Sequence, residues 1–168
     1  MKPVGGIAAY GASGTNVALR IEEEADIDLR DEVTEAQLPD LMRLFGFAWW
    51  ADRRTPEDVR WMLAASTIVV ALVDRRDERL VAFARVLTDH TYLAIVLDVV
   101  VDPDFRGKGL GATLMNTIVG HPGLADVHSV ELVCQPEMQR FYRRWGFTDE
   151  VGRSVLMRRV QTATSTAM

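Results

Sequence analysis

The chain has 168 residues, 48% hydrophobic and 26% charged, which suits one domain with a sizeable core. Its formal net charge of -5 argues against a nucleic-acid partner, which would need a basic face, and fits a cationic or polyamine-like substrate better. Cys134 is the only cysteine, so no intramolecular disulfide and no thiolate zinc cluster can form; a reducing compartment and no metal are expected.

No apolar run reaches the roughly 18 to 20 residues needed to cross a bilayer, and Met1 to Gly6 lacks a leader's apolar stretch. A cytoplasmic protein with no membrane partner is expected. Residues 1–22, rich in Gly, Ala and Ser, and residues 161–168, mostly Thr, Ala and Ser, read as loose tails around a single domain at 23–160.

Within that domain, Thr34-Glu35-Ala36-Gln37 reads as a capping box, and Leu38, Leu41, Met42 and Phe45 then share one helical face. A second helix starts at Thr55-Pro56-Glu57-Asp58, with a capping hydroxyl, a proline at the first helical position and acids in the first turn, and runs to about Ala65. Three strands follow, Thr67 to Val73, Leu80 to Leu87 and Tyr92 to Val101, joined by charged or polar turns and expected to be antiparallel. The third is apolar at nearly every position from Ala94, which predicts a central strand buried on both faces. Beyond it the pattern predicts a helix from about Lys108 to Val119, a strand near Ser129 to Val133, a helix near Pro136 to Trp145 and a closing strand near Val151 to Val160.

The link between central strand and third helix carries glycines at 107, 109 and 111 beside Arg106 and Lys108. Glycines let a backbone approach an anion, the free amides and dipole of a helix start attract it, and basic side chains add charge-assisted contacts. The spacing matches neither G-x-G-x-x-G nor G-x-x-x-x-G-K-[ST], which argues against a dinucleotide fold or a P-loop. A tight turn with close helix packing is the plainer reading of the same glycines.

Arg106-Gly107-Lys108-Gly109-Leu110-Gly111 resembles the [RQ]-x-x-G-x-[GA] signature of the GNAT superfamily of N-acetyltransferases, and Phe141-Tyr142-Arg143-Arg144-Trp145-Gly146-Phe147 resembles its second hallmark, F-Y-x-x-x-G-F. The order of elements over about residues 26 to 160 follows that family. The resemblance implies an α/β fold of mixed α+β character, in which a mixed, mostly antiparallel sheet is splayed at its middle and flanked by about four helices. It also implies acetyl-CoA as co-substrate and direct transfer of acetyl to a primary amine of a small molecule or peptide. A homodimer is common among similar proteins, though no interface is legible.

By the same resemblance, the backbone of Val99, Val100 and Val101 would pair with the pantetheine arm, and residues Arg106, Gly107, Lys108, Gly109, Leu110 and Gly111 would cradle the pyrophosphate. Gln135 stands where relatives often carry a cofactor-contacting asparagine. Tyr142 matches the tyrosine that protonates the departing thiolate; its spacing with Met138, Phe141 and Trp145 equally fits an ordinary apolar helix face. The glutamate that serves as base in several relatives is missing, because Ile95 and Leu97 occupy the best-matching positions. That absence leaves a non-catalytic acyl-CoA-binding module, or a longer acyl group, as alternatives. Asp98 is the one ionisable residue of the central run, a candidate base or an internally satisfied structural group. For the acceptor the candidates are Trp49 and Trp50, followed by Arg53, between the first two helices, and His90, near Arg85 and Asp89. Cys134 reads as a small buried hydrophobe, with an acyl-carrying nucleophile as the alternative.

Overall fold

The computed structural model describes residues 26–160; the tails read at 1–22 and 161–168 lie outside them. Five strands, β1 (Ile27–Arg30), β2 (Ile68–Asp74), β3 (Arg79–Thr88), β4 (Leu93–Val101) and β5 (Ser129–Leu132), lie in chain order in one open sheet. The first four are antiparallel, and β5 joins β4 in parallel. A parallel neighbour needs a crossover, which α3 (Leu110–Val119) supplies. The other helices are α1 (Leu38–Gly46), α2 (Pro56–Ala64) and α4 (Gln139–Tyr142), the last extended at each end by a 3-10 turn. The expected mixed sheet with four helices is therefore present.

Local chemistry sets the helix starts. The Gln37 side chain accepts from the Thr34 amide at 3.1 Å, and a 3-10 turn at Glu35–Gln37 leads into α1. Thr55 Oγ1 accepts from the Asp58 amide at 3.2 Å, with Pro56 opening α2. Gly109 has φ of +82°, in the left-handed region, so α3 begins at Leu110 and Lys108 belongs to the loop before it.

The sheet separates two apolar clusters. On one face Leu110, Leu114, Met115 and Ile118 of α3, with Tyr142 of α4, cover Val70, Leu72, Ala82, Ala84, Val86, Ala94 and Val96. On the other, Leu41, Leu44 and Phe45 of α1 and Val59 of α2 cover Ala71, Val73, Leu80, Phe83 and Val100. The doubly covered strands are β2 and β3, whose central residues are buried without interruption. This corrects the expectation for β4. Ala94 and Val96 are buried under α3, while Ile95 and Leu97 are only partly covered, because α1 and α2 sit over β2 and β3 rather than over the first half of β4.

The closing strand expected at Val151 to Val160 is a second correction. Those residues are exposed and form no ladder, with Gly152 turning the chain at φ of +68°. Val155, Leu156 and Met157 are consecutive and run into Arg158 and Arg159, so they offer no alternating face to a sheet. Strand propensity without neighbours to pack against does not make a strand.

At the end of β2, the Asp74 carboxyl is buried and the Arg76 guanidinium holds it down to about 2; the Arg76 amide adds to this against the cost of desolvation. An unfolded aspartate titrates near 3.9, so this group stabilises the fold above that pH and its contribution is lost as pH falls towards about 2. Urea midpoints of Asp74→Asn and the parent protein should therefore differ near neutrality and converge on acidification to about pH 2. A pH-independent difference would assign the effect to packing.

Candidate functional site

β4 and β5 are paired from Leu93 with Ser129 to Val96 with Leu132, and the ladder then ends. On its other side β4 stays with β3 as far as Val101. Leu97 to Val101 thus has a sheet partner on one side only, and the backbone of Val99, Val100 and Val101 borders a slot on the other. Such a row can take an extended polyamide as an added strand, with main-chain hydrogen bonds supplying affinity. Side chains fix its walls: Val99 and Val101 pack towards α3, and Val100 is buried towards α1.

A bulge marks where the slot begins. Phe83 pairs with Val100 but Arg85 pairs with Leu97, so β4 carries one extra residue there. Asp98 sits in it at φ of +58°, a left-handed conformation that aspartate tolerates better than most residues. Its carboxylate, 5% exposed, accepts from Arg54 at 2.7 Å through one oxygen and from Arg85 at 2.6 Å through the other. Both oxygens are thus engaged by guanidiniums, an arrangement that suits structural positioning better than proton abstraction.

At the far end of β4, Asp102 is buried, accepts from the Asp104 amide at 2.9 Å and pairs with Arg43 of α1. Desolvation opposes its charge, but that amide and Arg43 hold its carboxyl below the usual range. The anchored loop then displays Arg106, Gly107, Lys108 and Gly109 to solvent. Gly107 and Gly109 have φ of +76° and +82°, and no atom approaches within 4 Å of where a Cβ would stand. Gly111 differs: a Cβ there would meet the Phe141 ring at 3.3 Å, so it serves close packing of α3 on α4. Leu110 is buried by its side chain, leaving its amide at the helix start as its contribution. Open backbone, two exposed cations and the start of a ten-residue helix fit a pyrophosphate. Close helix packing thus accounts for Gly111, and a turn with positive φ for Gly107 and Gly109.

α4 is fixed against α3 by that packing and by a 2.7 Å hydrogen bond from Trp145 Nε1 to Asn116 Oδ1. It holds Tyr142 edge-on to Phe141 and Phe147, with ring centroids 5.0 and 6.3 Å away. Tyr142 is 8% exposed, and its hydroxyl has no protein hydrogen-bond partner among the described residues. Burial, with a smaller contribution from Cys134, pushes its pKa up to about 12, so it keeps its proton throughout the neutral range. Burial raises the Cys134 thiol as well, Glu137 adding to it, which disfavours the thiolate a nucleophile needs. Gln135 stands half-buried before Pro136 and its side chain caps nothing.

On the α1 and α2 face, Trp49 is 76% exposed, whereas Trp50 packs edge-on to Phe45 at 6.3 Å. Arg53 is exposed. Its neighbour Arg54, which the sequence did not single out, lies 4.3 Å from the Phe45 centroid and 5.3 Å from that of Trp50 while pairing with Asp98. No spacing signal separates Arg53 from Arg54; the turn before Thr55 decides which one points inward. His90 is elsewhere: it occupies the β3–β4 turn, its Nδ1 2.9 Å from the Gly123 carbonyl, beyond the end of the sheet where β4 and β5 are zipped together. The structure therefore gathers Asp98, Trp50 and Arg85 near the slot and leaves Trp49 and His90 outside that group.

Comparison with known proteins agrees with this geometry. The model of the acetyltransferase (GNAT) domain matches residues 64–149. An uncharacterized N-acetyltransferase of Porphyra purpurea is 32% identical over 127 residues, covering 72% of each chain. Serotonin N-acetyltransferase 2 of Oryza sativa is 39% identical over 98 residues, 56% of this chain and 48% of that one. Among solved structures, a protein of Xanthomonas campestris assigned to the GNAT family superposes with a TM-score of 0.72 at 26% identity, covering 84% of this chain and 97% of the other. The chain belongs to the GNAT acetyltransferase family and is an acyltransferase.

Removing the carboxylate between two guanidiniums leaves them facing each other. Asp98→Ala should cost about 3–5 kcal/mol, the range for breaking a buried pair from one side. Arg54→Ala should cost less, because Arg85 still holds Asp98. Urea denaturation of the two variants checks the order.

Proposed function

We propose that the protein transfers an acetyl group from acetyl-CoA to a primary amine of a small molecule or peptide, by direct attack in a ternary complex. The observation that carries this reading is the conjunction of three features around the released half of β4. They are the open phosphate cradle at Arg106 to Gly111, the half-paired strand at Val99 to Val101, and the unpartnered Tyr142 hydroxyl beyond the end of β5.

In this reading the loop amides, with Arg106 and Lys108, hold the pyrophosphate. The backbone of Val99 to Val101 orients the pantetheine arm so that the thioester lies at the mouth of the slot. The amine attacks the thioester carbonyl, the carbon–sulfur bond breaks, the departing thiolate takes its proton from Tyr142, and the proton shed by the new amide nitrogen passes through water to restore the phenol. The thiol has a reference pKa near 8.5, and a phenol held at about 12 keeps its proton at neutral pH until negative charge develops on the sulfur.

The amine must first lose a proton of its own, and neither Ile95 nor Leu97 can accept it. Ile95 and Leu97 are only partly covered, so water reaches this side of β4. The guanidiniums of Arg54 and Arg85 disfavour an ammonium beside them, which assists that loss. Support for a primary amine also comes from the relatives, which include the rice serotonin N-acetyltransferase and a histone acetyltransferase of Glycine max, 34% identical over 70 residues.

CoA should raise the thermal midpoint of the purified protein, and Arg106→Ala should weaken CoA binding about tenfold through loss of one charge-assisted contact. No CoA-dependent shift would remove the reading at its base. Tyr142→Phe should leave CoA affinity unchanged and lower kcat about 100-fold, the lower range for a general acid. With the phenol at about 12, deprotonation of Tyr142 should cause no loss of rate below about pH 10 in a kcat–pH profile. CoA binding without turnover across a broad amine panel would instead identify a binding module.

A further inference from the structure

Two guanidiniums and one carboxylate meet at the β4 bulge, which leaves the cluster with an excess positive charge. Asp98 satisfies one nitrogen of Arg54 and the Nε of Arg85. Arg54 spends a second nitrogen on Met62 Sδ at 3.4 Å and is stacked on Phe45 and Trp50. The terminal nitrogens of Arg85 have no hydrogen-bond partner among the described residues, although its side chain is only 12% exposed. A planar guanidinium held by its Nε, with its outer donors unspent, presents a ready fork for an anion.

The position of this fork is informative. Arg85 pairs with Leu97, the first β4 residue beyond the ladder with β5, so it stands across from the mouth of the slot. The next pair along the same face, Leu87 and Ile95, is about 7 Å away, two residues along each strand. That pair borders a shallow, open depression lined by Thr67, Leu87, Thr88, Asp89, Leu93 and Ile95. Asp89 closes the far end of this surface, its Oδ1 accepting from the amides of Thr91, Tyr92 and Leu93, four residues along β3 and its turn from Arg85. Beside the slot mouth itself the Arg54–Asp98–Arg85 cluster carries one excess positive charge, opposite in sign to the chain as a whole.

We propose that the acceptor is a small amine bearing a carboxylate, an α-amino acid or a close analogue. Its carboxylate is bound by Arg85, its amine is directed to the mouth of the slot, and its apolar side chain lies over Leu87 and Ile95. Arg54 and Asp98 are positioning residues in this arrangement, since they hold Arg85 and tie it to the α1–α2 connection. The proposal rests on the acetyltransferase reading and narrows it to one substrate class.

The test measures thiol release from acetyl-CoA with matched amines differing only in the carboxylate: phenylalanine against phenethylamine, tryptophan against tryptamine, and leucine against isoamylamine. The carboxylate-bearing member should show kcat/KM at least about tenfold higher, the value of one good charge-assisted contact. Arg85→Lys, which keeps the charge and loses the fork, should raise KM for the amino acids about tenfold more than KM for the decarboxylated amines, so that the preference within each pair is lost. A purely structural role for Arg85 would change both members of each pair alike, which overturns the proposal. Equal or better turnover of the decarboxylated amines overturns it too, while leaving the transferase reading intact. Absence of turnover together with absence of CoA binding overturns both.

Discussion

The parallel ladder between β4 and β5 stops after four residue pairs, and the arrangement of the site depends on that early end. A strand with both neighbours intact has no backbone groups to offer; one released on a single side offers a row of them at fixed spacing. β3 keeps β4 rigid from behind, so the row stays in place without a ligand to order it. The bulge at Asp98 twists β4 where the row begins, and the Asp102 turn sends the chain into the glycine loop where it ends. Slot and loop are thus consecutive parts of one stretch of backbone.

The two faces of the sheet contribute differently. α3 and α4 close one face with apolar packing, and the contact of Gly111 with the Phe141 ring brings the two helices together. The other face is closed over β2 and β3 but open over the first half of β4, and it is held by ion pairs: Arg43 to Asp102 and Arg54 to Asp98. Each pair joins α1 or the connection after it to β4. Buried pairs contribute little net stability compared with apolar groups of similar size, yet they fix direction and distance.

The helix starts, the three antiparallel strands and the open glycine loop before α3 could be read from the sequence because each has a local cause: a cap, a charged turn, closely spaced glycines. Tyr142 needed the family resemblance, since its spacing alone fits core packing, and its burial in the cluster under α3 agrees with that packing. What could not be read was tertiary. That Arg54 rather than Arg53 turns inward, and that Arg85 meets Asp98, depends on a bulge whose register only pairing defines. His90 looked close to Arg85 in sequence but lies in the hairpin turn, because the last three residues of β3, Val86 to Thr88, carry the chain away from Arg85 first. β4 looked doubly buried because apolar composition does not reveal how far a covering helix reaches. Similarly, the overall charge describes the whole surface, whereas one cluster decides what a ligand meets.

The Arg54–Asp98 bridge has a thermodynamic consequence. Asp98 belongs to the strand that borders the slot, and Arg54 to the connection packed on Trp50 on the opposite face. If occupation of the slot displaces the bulge even slightly, the position of Arg54 changes with it, and Arg85 shares the same carboxylate. Ligands on the two faces are then coupled, and the coupling is reciprocal: whatever factor one gains in affinity from the other, it must return. The strength of that mutual effect would then rest on a single side chain that neither of them touches.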